Sequence, residues 1–140
     1  GYVNDPEDPG GETKFGVSKR SYPREDIPNM TLERAKEIYR KDFWWAAGCD
    51  AVPDAAKFDL FDMAVNSGVK PAICTLQNAV GVVPDGIIGP RTLQALNDAN
   101  PVRLVAHFNA HRLLFMTNLK NWEAHGKGWA RRVAKNILEA

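Results

Sequence analysis

The first seventeen residues constrain the chain most, because they cannot form a long helix. They contain four acidic residues, two prolines and four glycines. Proline fixes φ and removes an amide donor, and glycine permits positive φ, so we expect turns at Asp5-Pro6 and at Asp8-Pro9-Gly10-Gly11. The clustered carboxylates repel one another. This segment is therefore either a solvated, turn-rich arm or a loop that holds acids together for acid–base chemistry.

Length and composition indicate one globular domain. A chain of 140 residues with 44% hydrophobic and 25% charged residues is large enough for a core of its own. No apolar run approaches the roughly 18 residues of a membrane span, so no membrane-spanning helix is expected. Cys49 and Cys74 fit no metal-binding spacing, and free thiols are favoured over a disulfide.

Charge is unevenly distributed along the chain. Residues 1–70 carry 10 Lys and Arg against 13 Asp and Glu, a net charge of −3, and residues 71–140 carry 8 against 4, a net charge of +4. An acidic N-terminal half around a reaction centre, with a basic C-terminal half that binds an anionic polymer, would explain the difference. An ordinary scatter of charged residues over the surface would explain it as well. The imbalance is too small to indicate a nucleic-acid partner.

Hydrophobic periodicity predicts a mainly α domain of about six helices, with an irregular acidic N-terminal loop or short hairpin. An extended or hairpin piece is possible over residues 15–22. The expected helix ends are Gly48, Gly68 and Gly81, and a break is expected at Gly126 and Gly128. The predicted helices cover residues 32–45, 53–67, 71–80, 91–98, 101–120 and 130–138.

The first segment resembles the N-terminal signature of the glycoside hydrolase family 108 lysozymes, which are N-acetylmuramidases. The shared residues read Gly-Tyr-Val-Asn-Asp-Pro-x-Asp-Pro-Gly-Gly-x-Thr-x-x-Gly-Val, starting at Gly1. In that family the signature usually begins Glu-Gly-Gly-Tyr, and the glutamate is the catalytic acid. The resemblance places this glutamate two residues before Gly1, so the chain as given is expected to lack activity. It implies a lysozyme-like fold that uses neither a metal nor an organic cofactor.

The resemblance also assigns catalytic roles within the loop. Glycoside hydrolysis needs a proton donor and a second acid that activates water or stabilises the oxocarbenium-like centre. Asp8 is the candidate second acid, and Thr13 would position a water or the substrate. Asp8 could instead fold the Asp-Pro-Gly-Gly corner through an Asx turn, and the two roles can coexist. Glu12, at a variable position of the signature, is a weaker candidate for the proton donor.

Other residues of the front half are candidates for binding substrate or for holding the loop. Tyr2 and Asn4 suit a groove wall or a hydrogen bond to sugar, and Tyr2 could alternatively be a core anchor. Residues 58–68 also resemble a family signature. Within them, Asp62 and Asn66 are expected to line the cleft or to tie the loop to a central helix. Gly16 is expected to allow close backbone packing.

Residues 76–93 resemble the predicted peptidoglycan-binding motif, of the form Leu-Gln…Asp-Gly-x-x-Gly-x-x-Thr. Its candidates are Asp85, Gly86 and Gly89. Asp85-Gly86 would also make a tight turn, so the motif reports either wall contact or fold geometry. His107 and His111 are four residues apart, but they lack the glutamate and third ligand of the zinc-protease pattern, so no metal site is predicted. The four tryptophans could stack on sugar rings or fill the core.

These motifs together predict a single lysozyme-like domain over residues 1–140. Residues 1–70 would supply the catalytic loop and central helix, and residues 71–140 a packed, peptidoglycan-binding-like part. The expected activity is cleavage of the β-1,4 bond between N-acetylmuramic acid and N-acetylglucosamine. The partner would be the glycan strands of the cell wall, reached in the periplasm or after export, and a phage or prophage origin stays open. The alternatives are a non-catalytic wall-binding or secretion-assisting module and a chitinase-like enzyme.

Overall fold

Three short strands and one helix form the first of the two units into which the chain divides, Gly1–Asp42. The computed structural model describes residues 1–139. Strands β1 (Tyr2–Asn4), β2 (Glu12–Lys14) and β3 (Val17–Ser18) pair antiparallel in that order. The acid-rich loop is thus the turn of a hairpin. Both expected turns are present, since the amide of Asp8 donates to the carbonyl of Asp5 and the amide of Gly11 donates to the carbonyl of Asp8, each at 3.0 Å.

Helix α1 (Leu32–Tyr39) begins where the sequence predicts. The Thr31 hydroxyl accepts a hydrogen bond from the Arg34 amide at 3.1 Å and satisfies one of the free donors of the first turn. The helix buries its apolar face against β3 and the loop that follows it. The core of this unit consists of Val17, Ile27, Met30, Ala35 and Ile38, with Phe15, Tyr22 and Tyr39 packed against it.

A two-residue turn at Phe15-Gly16 joins β2 to β3. Both residues have positive φ, 53° at Phe15 and 79° at Gly16, which is the backbone of a type I′ hairpin turn. The Tyr39 hydroxyl donates to the Phe15 carbonyl at 2.9 Å, and a Cβ on Gly16 would collide with that hydroxyl. The predicted role of Gly16 in close packing is therefore confirmed.

The second unit begins at Phe43 and contains five helices. A π-helical segment, Arg40–Trp45, follows α1 directly in the chain, and Gly48 adopts the positive φ expected after a helix end. The fold is mainly α, with six α-helices and a short N-terminal sheet among residues 1–139, as predicted. The remaining helices are α2 (Asp54–Ser67), α3 (Val69–Ala79), α4 (Pro90–Asp98), α5 (Pro101–Thr117) and α6 (Trp122–Glu139).

Helices α2, α3 and α5 pack on one another, and α6 packs on α5. Their shared core includes Leu60, Met63, Leu76, Leu104 and Phe108, each no more than 2% exposed. Cys49 and Cys74 are free thiols, and burial raises the pKa of Cys49 to about 11. Within residues 1–139, no helix combines the length and the apolar character needed to cross a membrane.

The predicted break at Gly126 and Gly128 is wrong, because α6 runs through both glycines. The preceding helix ends at Thr117, and the break lies at residues 118–121. A Cβ on Gly126 would lie 2.8 Å from Cδ2 of Trp122. The glycine thus leaves room for the indole of Trp122, one helical turn earlier, to lie against the helix backbone.

The Gln77 side chain organises the loop between α3 and α4. Gln77 is fully buried, and its amide nitrogen donates to Asp85 Oδ1 at 2.8 Å, the Ile87 carbonyl at 2.9 Å and Thr92 Oγ1 at 3.1 Å. Its amide oxygen accepts from the Gly86 amide at 2.9 Å. One side chain therefore closes the loop onto the start of α4.

Replacing Gly16 by alanine tests the contact with Tyr39. We expect Gly16→Ala to lower the free energy of unfolding by about 2–3 kcal/mol, since it combines a left-handed backbone with a steric collision. Gly11→Ala is the matched control, because Gly11 has φ 71° but its Cβ would lie 3.7 Å from its nearest neighbour, Lys19 Cβ. That control should cost about 1 kcal/mol. Equal losses in denaturant unfolding of the two variants would show that the collision is relieved without cost.

Replacing Gln77 by leucine tests the loop closure. The substitution keeps the volume but leaves the groups around Gln77 without their partner, so we expect a loss of about 2–3 kcal/mol in unfolding free energy. Gln94→Leu, at an exposed position of α4, should change it by less than about 0.5 kcal/mol. Similar midpoints for Gln77→Leu and the native chain in urea would contradict a supporting role for this amide.

Candidate functional site

Asp8 lies in the turn between β1 and β2 with its carboxylate half engaged. Its Oδ1 accepts a hydrogen bond from the Gly10 amide at 2.8 Å, which is the Asx turn expected for the Asp-Pro-Gly-Gly corner. Asp8 is exposed, and its Oδ2 accepts no hydrogen bond from residues 1–139. The turn therefore orients the carboxylate and leaves one oxygen for water or a ligand, so the structural and catalytic roles are compatible.

Thr13 occupies the centre of β2, opposite Val3 of β1 and Ser18 of β3. Side chains alternate across a strand, so Thr13 lies on the face opposite Glu12 and Lys14. Its hydroxyl makes no hydrogen bond to the part of the chain that the structure describes, and it is half-buried. A hydroxyl in this position can both donate to and accept from a water.

Tyr2 of β1 contacts Glu12 of β2 diagonally on one face of the hairpin. The Tyr2 hydroxyl donates to Glu12 Oε2 at 2.6 Å, and this hydrogen bond is the main reason that the pKa of Tyr2 is raised. Asn4 pairs with Glu12 in the strand register and shares its face with Tyr2. Tyr2 is 44% exposed, so the alternative that it is a core anchor is wrong. Of the two candidate catalytic acids, Asp8 and Glu12, Glu12 is therefore the less available.

Asp62 and Asn66 hold α2 to α5 and α6. Asp62 Oδ2 accepts from Arg112 Nη1 at 2.8 Å and from Asn136 Nδ2 at 3.1 Å. The amide nitrogen of Asn66 donates to the Asp62 carbonyl at 2.7 Å, and its oxygen accepts from Arg132. These partners assign both side chains a structural role, and substrate binding by Asn66 stays a prediction.

Asp59 lies three residues before Asp62 on α2 and was not among the site residues predicted from the sequence. It is 6% exposed, and its Oδ2 accepts from Asn109 Nδ2 at 3.3 Å. Burial raises the pKa of Asp59, and the opposing effects of Asn109 and the Arg112 charge do not offset it. The sequence did contain a signal for Asp59, which is an acidic residue three positions before Asp62 in a mostly apolar helix.

Asp85, Gly86 and Gly89 of the peptidoglycan motif shape the loop between α3 and α4. Asp85 Oδ1 accepts from Gln77 and from the Ile87 amide, and the hydrogen bond from Gln77 is the main cause of its lowered pKa. Gly86 has φ 79°, and Gly89 is the residue before α4. These contacts indicate that one function of the motif is to fix the shape of this loop. Val83 and Ile87, 73% and 68% exposed, are the apolar side chains that this loop presents to solvent.

Trp44 combines packing with a polar contact, and the other tryptophans differ in their exposure. Trp44 packs against Phe61 with ring centroids 5.5 Å apart, and its indole nitrogen donates to Asp50 Oδ1 at 2.8 Å. Trp122 and Trp129 lie 6.3 Å apart on α6, whereas Trp45 is 59% exposed. In residues 1–139, no three His, Cys, Asp or Glu side chains are grouped so as to hold a metal ion.

Two family models match successive parts of the chain. The model described as "Glycosyl hydrolase 108" matches residues 1–68, and the model described as "Predicted Peptidoglycan domain" matches residues 71–134. A search of curated protein sequences gives no significant match.

A solved structure matches nearly the whole chain. This structure, of SagA from Brucella abortus, shares 31% sequence identity with the chain at a TM-score of 0.87. The match covers 99% of this chain and 84% of SagA. With the motifs and the mainly α fold, it shows that the chain belongs to the glycosyl hydrolase 108 family and carries that family's segment ahead of a predicted peptidoglycan domain.

Proposed function

We propose that this protein is a muramidase that cleaves the β-1,4 bond between N-acetylmuramic acid and N-acetylglucosamine in peptidoglycan. The observation that carries the proposal is the glycosyl hydrolase 108 match on residues 1–68, which includes an exposed turn with a half-free carboxylate at Asp8. The predicted peptidoglycan domain on residues 71–134 supports the same substrate. The site of action would be the cell wall, in the periplasm or after export.

We assign the catalytic roles from the family signature and from the hydrogen bonds within the hairpin. The glutamate that precedes Gly1 in the signature would protonate the leaving oxygen, and Asp8 would act as the second acid. The Asx turn supports this role for Asp8, because a carboxylate already held at one oxygen loses little freedom when the other binds water. Thr13, whose hydroxyl has no partner in residues 1–139, would orient that water.

Tyr2 and Asn4 would form part of the wall that receives the sugar. They share one face of β1, and Tyr2 is 44% exposed. The Tyr2 hydrogen bond fixes Glu12 beside this wall, so Glu12 would position sugar hydroxyls and not donate the catalytic proton.

The non-catalytic alternative rests on the predicted peptidoglycan domain alone. A wall-binding or secretion-assisting module would sediment with insoluble peptidoglycan without releasing reducing ends. The half-free carboxylate of Asp8 favours the enzyme, because wall binding alone does not require it.

The catalytic role of Asp8 is tested in a chain extended by Glu-Gly before Gly1. We expect Asp8→Asn to lower the rate of reducing-end release from purified cell walls by about 10²-fold or more, since asparagine keeps the turn but removes the charge. Asp5→Asn is the matched control, because Asp5 Oδ1 makes the same kind of turn contact with the Glu7 amide at 3.0 Å. That variant should keep activity within about twofold, as expected for a solvated surface acid.

Equal activity of the Asp8 and Asp5 variants would remove Asp8 from the mechanism. No reducing ends from the extended native chain, together with sedimentation on peptidoglycan, would establish the non-catalytic alternative. Chitin oligomers provide the substrate control, and we expect slower release from them than from muropeptide-bearing glycans.

A further inference from the structure

A pocket of about 370 Å³ lies in the second unit, between α2 and the end of α6. Its lining contains two nearly buried polar side chains, Asp59 at 6% and Asn136 at 8% exposed. Phe58, 57% exposed, contributes an aromatic ring. The full lining is Ala55, Phe58, Asp59, Asn136 and Glu139.

Oxygen atoms without donors are the distinctive feature of this pocket. Asp59 uses Oδ2 to accept from Asn109, and its Oδ1 accepts nothing from residues 1–139. Asn136 uses its amide nitrogen to donate to Asp62, and its oxygen likewise has no donor in the described chain. Glu139 adds a second carboxylate. Both side chains line the pocket, so these two oxygens are available to a ligand that donates hydrogen bonds.

The pocket lining offers more acceptors than donors. One N–H of the Asn136 amide donates to Asp62, so its second N–H is the one side-chain donor that the lining has left when the acids are ionised. The neighbouring Lys57 is directed to the Cys49 and Asp50 carbonyls at 2.9 and 3.0 Å, so it does not fill the pocket. A sugar would bring hydroxyl oxygens that need donors, whereas an ammonium group brings only donors.

We propose that this pocket binds a primary ammonium group carried on a flexible apolar chain. The ammonium would donate to Asp59, Asn136 and Glu139, and the Phe58 ring would add a cation–π contact. Burial raises the pKa of Asp59, so its ionised form destabilises the free protein and would be stabilised by a bound cation.

A second pocket, of about 290 Å³, borders the first at Ala55 and would receive the apolar chain of the ligand. Its lining is almost wholly aliphatic: Ala55, Pro101, Val102, Val105, Ala106 and Ile137. Resting on the proposed function, the physiological source of such a group is the side-chain amine of a peptidoglycan stem peptide. The same chemistry is present in any lysine-bearing peptide.

The test is an NMR titration of the full chain with Nα-acetyl-lysine amide, compared with the same molecule acetylated at Nε. We expect the free amine to shift the amide signals of Phe58, Asp59 and Asn136 with a millimolar Kd, and the acetylated probe to shift none of them. Asp59→Asn should weaken binding by about tenfold, the effect of losing one charge-assisted contact. Asp98→Asn removes an equal charge from an exposed position on α4 and should leave the Kd unchanged.

Thermal unfolding separates binding from folding. Asp59→Asn should raise Tm at pH 7, because it removes a carboxylate whose charged form burial disfavours. A variant that is more stable yet binds the amine less would support the proposal. Should Asp59→Asn fail to fold, Glu139→Gln in the same titration must weaken binding, and the two probes must still differ on the native chain.

Several outcomes would overturn the proposal. They are equal binding of both probes, an unchanged Kd in Asp59→Asn, shifts that map away from the pocket, and an equal response to calcium chloride, which would assign the pocket to a metal ion. Muropeptides with free and acetylated amines distinguish the source. Binding of the lysine probe without the muropeptide supports the ammonium site and rejects peptidoglycan as its origin, whereas reducing-end release tests the muramidase function independently.

Discussion

The buried ion pair between Arg112 and Asp62 is the constraint on which the helical unit depends. The Arg112 side chain is fully buried, so α5 can pack against α2 only where a carboxylate meets the guanidinium. Asn136 of α6 donates to the same Asp62 oxygen, and one acid therefore fixes three helices. Such a pair adds little net stability over apolar packing, but a lone charge left there costs about 3–5 kcal/mol. A packing of the helices that separates Arg112 from Asp62 is therefore disfavoured.

This pair also joins the two family segments. Asp62 belongs to the part matched by the glycosyl hydrolase model, and Arg112 belongs to the part matched by the predicted peptidoglycan domain. The structural division falls earlier, after Asp42, so α2 has the hydrolase signature but packs with the helices of the following segment. The family boundary near Gly68 is thus a boundary of sequence, and the core of the second unit extends across it.

The features that the sequence could predict are those that depend on residues close to one another in the chain. Helix ends at Gly48 and Gly68, the Thr31 cap and the turns of the acidic loop depend on neighbouring residues, and all were predicted. The continuation of α6 through Gly126 was not predicted. Gly126 leaves room for the indole of Trp122, and this packing outweighs a helix penalty of about 1 kcal/mol per glycine. Strand β1, three residues long, is too short for its alternation to be recognised. The partners of Asp62 lie 50 and 74 residues away, beyond any periodic pattern.

Asp62 and Asp85 accept more hydrogen bonds from the described chain than Asp8 and Asp59 do. Asp62 accepts from arginine and asparagine side chains, and Asp85 accepts two donors at one oxygen, so both act within the fold. Asp8 and Asp59 each hold one oxygen and leave the other without a donor in residues 1–139. Exposure then distinguishes their chemistry. The Asp8 carboxylate is exposed and can accept from water, whereas burial raises the pKa of Asp59 and disfavours its ionised form.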